Sequence, residues 1–314
     1  NVTGLSIEST GDFTIPTAFS NPLPITVEGT LSVSGNLTAA SEITVNGILS
    51  VTGDLTASSD ITVDGDLSVT GDATVSSDMT VDGTLSVGGD LIANSDITVE
   101  GTVTVTGNLT AASTIIVKNA ASVTVSSDIT VSDTVTVMTG GSLSSTGDIS
   151  ITSTGTISSD GTVSAGVDLI SDGLLSSGGT VTVGQDLEIQ DDGVVINSSS
   201  MTVTGDISND GNCVNNVTLS IGGNISNAAG STLTNSGMLH TDGNFTNAST
   251  ATLANDGTVT VDGYVSNAGG TIENDGTLSV NGNLSNTGGI LTNSDTINVK
   301  GNLSDTGTYT GTGD

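Results

Sequence analysis

The sequence predicts an all-β protein, a single-stranded parallel β-solenoid with a triangular coil of about 18–20 residues. Three observations lead to this fold class. An 18-residue phrase occurs five times without gaps from Ile25. Within each phrase, apolar and polar residues alternate, as they do in a strand with one buried face. Gly-Asn, Gly-Asp or Ser-Asp ends each short strand, and these residues tolerate the sharp bend of a corner.

The phrases ITVNGILSVTGDLTASSD and ITVDGDLSVTGDATVSSD, at 43–78, show how a coil is built. Each divides into three six-residue units, and each unit is one strand followed by one corner. Three strands and three corners close a coil, and coils of equal length stack with each strand parallel to its counterpart. We therefore expect Ile43 to lie beneath Ile61, and Ile61 beneath Met79.

The core of such a coil is expected to be thin. Apolar residues make up 34% of the chain, with no Trp, two Tyr and three Phe. Low hydrophobicity with high net charge is also typical of disordered chains, but strict alternation of β-branched residues favours strands. The inward positions predicted for one coil are Ile43, Val45, Leu49, Val51, Leu55 and Ala57.

The charge of the chain restricts its partners. The formal net charge is −32, and Lys118 and Lys300 are the only cationic residues besides the single histidine. Nucleic acid is excluded as a partner, because phosphate neutralisation needs Lys and Arg. No apolar run approaches the ~18 residues of a membrane span, so membrane insertion is not expected.

The repeat divides the chain into four predicted segments. Residues 25–114 form a regular solenoid, 115–222 an irregular one with corner insertions, and 223–314 a solenoid with longer, Asn-rich coils. The coils of this last segment have about 19–20 residues. Asn replaces the second inward residue of several strands there, and stacked Asn side chains hydrogen-bond along a column. These residues are Asn227, Asn247, Asn267 and Asn286.

The first segment, 1–24, breaks the pattern and contains all three prolines. Two interpretations stay open. The segment caps the first coil, or it docks on another subunit by strand addition, with Phe13 and Phe19 as anchors. At the other end the repeat continues to the last residue, which favours either a larger parent protein or head-to-tail polymerisation.

The phrases GTLSVSGNLTAASE and GNLSN resemble the β-helical repeats of filamentous-haemagglutinin-type secreted adhesins and of autotransporter passengers. The six-residue units also resemble bactofilins, cytoskeletal β-helices that polymerise end to end. These resemblances imply a right-handed β-helix with a role at a surface or in a filament. They imply no catalytic residue.

Stacking places acidic residues in columns at the corners, one of which contains Asp60, Asp78 and Asp96. Carboxylates ~5 Å apart repel by roughly 1 kcal/mol even in water. A calcium ion is a suitable counter-ion, because it prefers carboxylate and carbonyl oxygens. The alternative is solvated corner acids with diffuse counter-ions, since the dense Gly-Gly-x-Gly-x-Asp calcium signature is missing. No cofactor is required by any motif.

No motif predicts an enzyme. The chain has no Arg and few aromatic residues, so it lacks the groove chemistry of polysaccharide-cleaving β-helices. His240 has no dyad partner at a recognisable spacing, and Cys213 is expected to be a small buried or surface thiol. Asn-x-Ser/Thr sequences, which are acceptors for glycans in secreted proteins, occur at Asn1, Asn36, Asn108, Asn197, Asn216, Asn224, Asn244, Asn247, Asn283 and Asn302.

The sequence thus predicts a non-enzymatic structural protein, a subunit of an extracellular filament or surface layer that assembles with itself head to tail through its solenoid ends. The alternative is the stalk or passenger region of a secreted bacterial adhesin. Either function places the protein outside the cell or at its surface. The absence of an initiator Met fits a processed, exported polypeptide or a fragment.

Overall fold

A computed structural model describes residues 4–314, and these residues form 49 short strands and no helix. The strands build a parallel β-solenoid of about 16 turns with roughly 19 residues per coil, so the predicted fold class is confirmed. Two compact units are present, residues 4–149 with 156–163 and residues 150–155 with 164–314. The right-handed sense of the coil stays a prediction.

Each coil of the first unit contributes one strand to each of three ladders, A, B and C. Ladder A contains β1 (Leu5–Ile7), β4 (Ile25–Val27), β7 (Ile43–Val45), β10 (Ile61–Val63), β13 (Met79–Val81), β16 (Ile97–Val99), β19 (Ile115–Val117), β22 (Thr134–Val137) and β25 (Thr156–Ser159). Ladder B contains β2 (Asp12–Ile15), β5 (Thr30–Val33), β8 (Ile48–Val51), β11 (Asp66–Val69), β14 (Thr84–Val87), β17 (Thr102–Val105), β20 (Ser122–Val125) and β23 (Ser142–Ser145). Ladder C contains β3 (Phe19–Asn21), β6 (Leu37–Ala39), β9 (Leu55–Ala57), β12 (Ala73–Val75), β15 (Leu91–Ala93), β18 (Leu109–Ala111) and β21 (Ile129–Val131).

The second unit has the same three ladders. Its ladder A contains β28 (Leu174–Ser177), β31 (Val194–Asn197), β34 (Asn212–Asn215), β37 (Thr232–Asn235), β40 (Thr252–Asn255), β43 (Thr271–Asn274), β46 (Ile290–Asn293) and β49 (Thr308–Gly311). Ladder B contains β29 (Thr180–Val183), β32 (Ser200–Val203), β35 (Thr218–Ile221), β38 (Met238–Thr241), β41 (Thr258–Val261), β44 (Thr277–Val280) and β47 (Thr296–Val299). Ladder C contains β27 (Leu169–Ser171), β30 (Leu187–Ile189), β33 (Ile207–Asn209), β36 (Ile225–Asn227), β39 (Phe245–Asn247), β42 (Val265–Ala268), β45 (Leu284–Thr287) and β48 (Leu303–Asp305), while β24 (Ile149–Ile151) and β26 (Thr162–Ala165) include the residues at which the chain is divided.

The register of the ladders follows the sequence repeat. Ile43 pairs with Ile61, and Ile61 pairs with Met79, as predicted. Residues at equivalent positions of the repeat therefore stack on one another in columns. The coils lengthen later in the first unit, where Ile115 pairs with Val135 and Val135 pairs with Ile157, because the corners between these strands contain inserted residues.

The inward side chains form a thin apolar core. The six inward positions predicted for the coil at 43–60 are each at most 1% exposed. In the second unit Phe245 is the bulkiest fully buried side chain. Because each coil buries few and small side chains, stability in such an array accumulates from contacts between neighbouring coils.

The N-terminal segment takes part in the solenoid from Leu5 onward. Strands β1, β2 and β3 pair in parallel with β4, β5 and β6, so they form a first coil on the regular repeat. Residues 1–3 lie outside the described residues. The segment covers one side of the coil that begins at Ile25. On their other side, β1, β2 and β3 pair with no strand of the described chain. The cap and the docking interpretation both stay predictions.

Candidate functional site

Two buried columns of Asn side chains cross the coils of the second unit. The column in ladder C is the predicted one, and each Nδ2 donates to the Oδ1 of the Asn in the next coil over 2.7–2.8 Å. Each amide also donates to a backbone carbonyl, for example Asn227 to Thr252. These bonds satisfy amides that would otherwise destabilise the core. The ladder contains Asn209, Asn227, Asn247, Asn267 and Asn286.

A second amide ladder lies in ladder A and was not predicted. Its members recur at the spacing of the coils in the sequence, which is the signal that could have identified them. The distances from Nδ2 to Oδ1 are again 2.7–2.8 Å. Both ladders favour one register of adjacent coils, because a shift along the strand would break the bond between each amide and its counterpart. The ladder contains Asn197, Asn215, Asn235, Asn255, Asn274 and Asn293.

The corner before ladder C explains the Gly-Asn and Gly-Asp pairs. The Oδ1 of Asp54 accepts the backbone N–H of Asp72 over 3.1 Å, and the Oδ1 of Asp72 accepts that of Asp90 over 2.9 Å. A Cβ on Gly71 would lie 2.2 Å from the Oδ1 of Asp54, so glycine leaves room for this bond. The acids of this corner are therefore hydrogen-bond acceptors of the fold rather than free ligands.

Asp60, Asp78 and Asp96 occupy another corner of the first unit, and all three are exposed. Each accepts a hydrogen bond from a serine in the next coil, for example Ser95 Oγ to Asp78 over 2.7 Å. The bond donated by Ser113 lowers the pKa of Asp96 below its ordinary value of 3.8, against a smaller opposing effect of burial. The carboxylates thus have donors without an ion, and the calcium column stays a prediction.

Within residues 4–314, ligand atoms of three His, Cys, Asp or Glu side chains converge within 4.8 Å at one place, formed by His240, Asp242 and Asp262. The interpretation of His240 from sequence missed this cluster. The spacing gives a signal, because Asp242 and Asp262 follow two residues that pair in ladder B, Thr241 and Val261.

Cys213 is buried, and burial raises the pKa of its thiol from 9.0 to about 12.

The predicted glycan acceptors separate into groups by burial. Asn197 and Asn247 belong to the amide ladders and are each 1% exposed, so the prediction is wrong for these two residues in the folded protein. Asn1 lies outside the described residues. The other seven are exposed or half-buried, and glycans there stay a prediction.

The two ends of the described solenoid expose inward-facing side chains. In the last coil Leu303 is 57% and Tyr309 49% exposed, although they stack on the buried Leu284 and Leu291. These side chains border a cavity of about 550 Å³. In the first coil Phe13 is 50% exposed and Phe19 is half-buried, so both predicted anchors lie in an open end of the first unit.

Comparisons with known protein families agree with this geometry. Residues 25–122 match the family model for bactofilin, described as polymer-forming and cytoskeletal. Residues 214–263 and 262–307 match the model for the haemagglutinin repeat. Searches of curated proteins and of solved structures found no match to the chain. Both predicted resemblances are therefore confirmed, each for its own part of the chain.

The fold and the two family matches define the class of the protein, a structural or adhesin-like β-helical protein. This class is consistent with the prediction that the chain is not an enzyme. Among residues 4–314 there is no helix with the length and apolarity needed to cross a bilayer. Self-association is consistent with the polymer-forming family that residues 25–122 match.

Proposed function

We propose that this chain is a non-enzymatic structural subunit that assembles with itself head to tail into a filament at or outside the cell surface. The observation that carries the proposal is the match of residues 25–122 to a polymer-forming family. In the described coils, an apolar face suited to such a contact is formed by Ile297, Val299, Leu303 and Tyr309. Buried counterparts of these residues fill the core one coil earlier, so the face has the composition of a core. Exposed core of this kind favours association.

The first coil of a second copy is suited to cover this face. Its strands have free edges, and strand addition supplies backbone hydrogen bonds along a whole coil. Continuing each ladder into the second copy places Phe13 over Ile297 and Phe19 over Leu303. The contact joins unlike ends, and such a heterologous contact gives an open filament when it does not close into a ring.

The polar residues of the two ends also match. Asn21 occupies the inward position of ladder C in the first coil, and Asp305 occupies the same position in the last coil. The Asp305 carboxylate accepts from Asn286 over 2.9 Å, and a carboxylate has further acceptor sites. The amide of Asn21 in the next copy is a suitable donor to the Asp305 carboxylate. This hydrogen bond would continue the ladder C column from one copy to the next.

Electron microscopy of the purified chain tests the proposal directly. We expect fibres, and isolated particles at micromolar concentration would contradict it. Phe13→Asp and Leu303→Asp each damage one end, whereas Thr14→Asp and Ser304→Asp add the same charge on the outward side of the same strands. The first two variants should yield single subunits and the two controls should yield fibres.

A mixture of the two end variants distinguishes head-to-tail from head-to-head assembly. The intact first coil of Leu303→Asp should bind the intact last coil of Phe13→Asp, so the mixture should form dimers in light scattering while each variant alone stays single. If either variant dimerises alone, like ends associate and the head-to-tail contact is refuted. Circular dichroism of each variant checks that the solenoid is retained.

A second candidate function is the stalk of a secreted adhesin, which the haemagglutinin-repeat match at 214–307 favours. In that case the chain forms isolated particles and binding specificity lies elsewhere. The same match supports an extracellular or surface location, whereas the bactofilin description is of a cytoskeletal polymer. Protease treatment of intact cells tests the location, because an extracellular protein is cleaved and a cytoplasmic one is protected.

A further inference from the structure

Three ligand-type side chains meet on the outer side of ladder B in the second unit. His240 lies in β38, and Asp242 follows that strand at the corner. Asp262 is the counterpart of Asp242 in the next coil, because Thr241 and Val261 pair directly before them. The coils next to His240 have Ser220 and Thr260 at its position, so the histidine departs from the repeat.

The distances among these groups suit a tetrahedral metal ion. The Nε2 of His240 lies 3.6 Å from Oδ1 of Asp242 and 3.5 Å from Oδ2 of Asp262. Zinc binds nitrogen and oxygen ligands at about 2.0–2.2 Å, which separates tetrahedral ligands by roughly 3.4 Å. Octahedral neighbours at the same bond lengths are only about 3.0 Å apart. The two separations from His240 Nε2 are therefore closer to tetrahedral coordination.

A fourth side chain orients one of the carboxylates. Asn281 Nδ2 donates to Oδ1 of Asp262 over 2.7 Å. This bond uses the oxygen that does not face His240 and turns Oδ2 toward the imidazole. Hydrogen bonds of this kind, from a residue outside the ligand set to a ligand carboxylate, are typical of metal sites, where they fix the ligand orientation.

We propose that His240, Asp242 and Asp262 bind one divalent transition-metal ion, with Zn²⁺ as the ion that fits best. The imidazole selects against Ca²⁺ and Mg²⁺, which take oxygen ligands. The net charge of −32 raises the local concentration of cations. The three side chains are 43–63% exposed, so the fourth coordination position is open to solvent or to a donor from another molecule.

Calorimetry of the full chain with Zn²⁺ tests the site. We expect one strong site per chain. His240→Ala and Asp262→Asn should each lower the affinity for Zn²⁺ by about tenfold or more, because loss of a metal ligand costs at least as much affinity as loss of a residue that orients a ligand. Asp256→Asn is the matched control. It removes a charge from an exposed corner close to the cluster in sequence, but Asp256 is not one of the three ligands, so this variant should bind Zn²⁺ as tightly as the unaltered chain.

Two further readouts are independent of affinity. His240 is the only histidine, so its imidazole protons give a single set of NMR signals that should shift on addition of Zn²⁺. Bound Co²⁺ should give the intense visible absorption of a tetrahedral ion. If Zn²⁺ fails to bind, or binds His240→Ala as tightly as the unaltered chain, the cluster is only a surface ion pair and the proposal is refuted.

Discussion

The side-chain amide of Asn227 donates a hydrogen bond to Oδ1 of Asn247 over 2.8 Å, and both residues are 1% exposed. The bond has a direction, because every Nδ2 in this ladder points to the following coil. At the start of the ladder, Oδ1 of Asn209 has no hydrogen-bond partner. At the end of the ladder, the carboxylate of Asp305 accepts a hydrogen bond from the amide of Asn286. An ionised carboxylate has no proton to donate, so it ends the series of amide donors.

Asn227→Asp should destabilise the second unit although it conserves side-chain volume. The carboxylate cannot donate to Asn247, and an unsatisfied buried group costs about 1–3 kcal/mol. Hydrogen exchange should accelerate in the coils around β36, because stability in a repeat array is local. Ser226→Asp places the same charge on the outward side of the strand and should have little effect. Equal effects of the two substitutions would contradict the role of the ladder.

At the end of the ladder, exchanging Asn and Asp should change the melting temperature in a way that depends on which residue is replaced. Asp305→Asn keeps the acceptor for Asn286 and removes a charge, so the melting temperature should stay the same or rise slightly. Asn286→Asp places two acceptors against each other and should lower the melting temperature by several degrees. A reversed order of the two melting temperatures would show that the direction of the ladder is irrelevant.

Cys213 should make stability depend on alkaline pH. Its pKa is about 12 in the fold and 9.0 in the unfolded reference, so between these values the unfolded state loses a proton that the folded state keeps. The contribution of Cys213 to the free energy of unfolding should therefore be constant below pH 9 and fall as pH rises from 9 to about 12. Cys213→Val should remove this part of the pH dependence in urea melts. The native thiol should also resist alkylation at pH 8, since the thiolate is the reactive form.

Removal of calcium should leave the melting temperature unchanged. Asp60, Asp78 and Asp96 already accept hydrogen bonds from Ser77, Ser95 and Ser113. Melting with a chelator and with added Ca²⁺ at constant ionic strength checks this expectation. A fall in the chelator that is absent in Asp78→Asn would instead establish the predicted calcium column.

Much of the fold follows from local sequence. Alternation with period two identified inward residues such as Val45 and Leu49, because a strand exposes one face whatever its neighbours are. Constant coil length then identified the pairing of Ile61 with Met79. The Asn column of ladder C was found in the same way, since Asn227 and Asn247 occupy equivalent inward positions in phrases of equal length.

The remaining features depend on which atoms stacking brings together. The ladder through Asn215 and Asn235 recurs at the coil spacing but was missed. Asn close to Gly, as in Asn235-Ser-Gly, is as typical of a corner as of an inward position, and only the stacked coils show that its side chain is buried. The convergence of His240 with Asp262, which lie in successive coils, depends on the register of ladder B. Local patterning determined which face of each strand is buried, whereas tertiary stacking decided the side-chain partners, because hydrogen bonds and metal coordination require specific distances between coils.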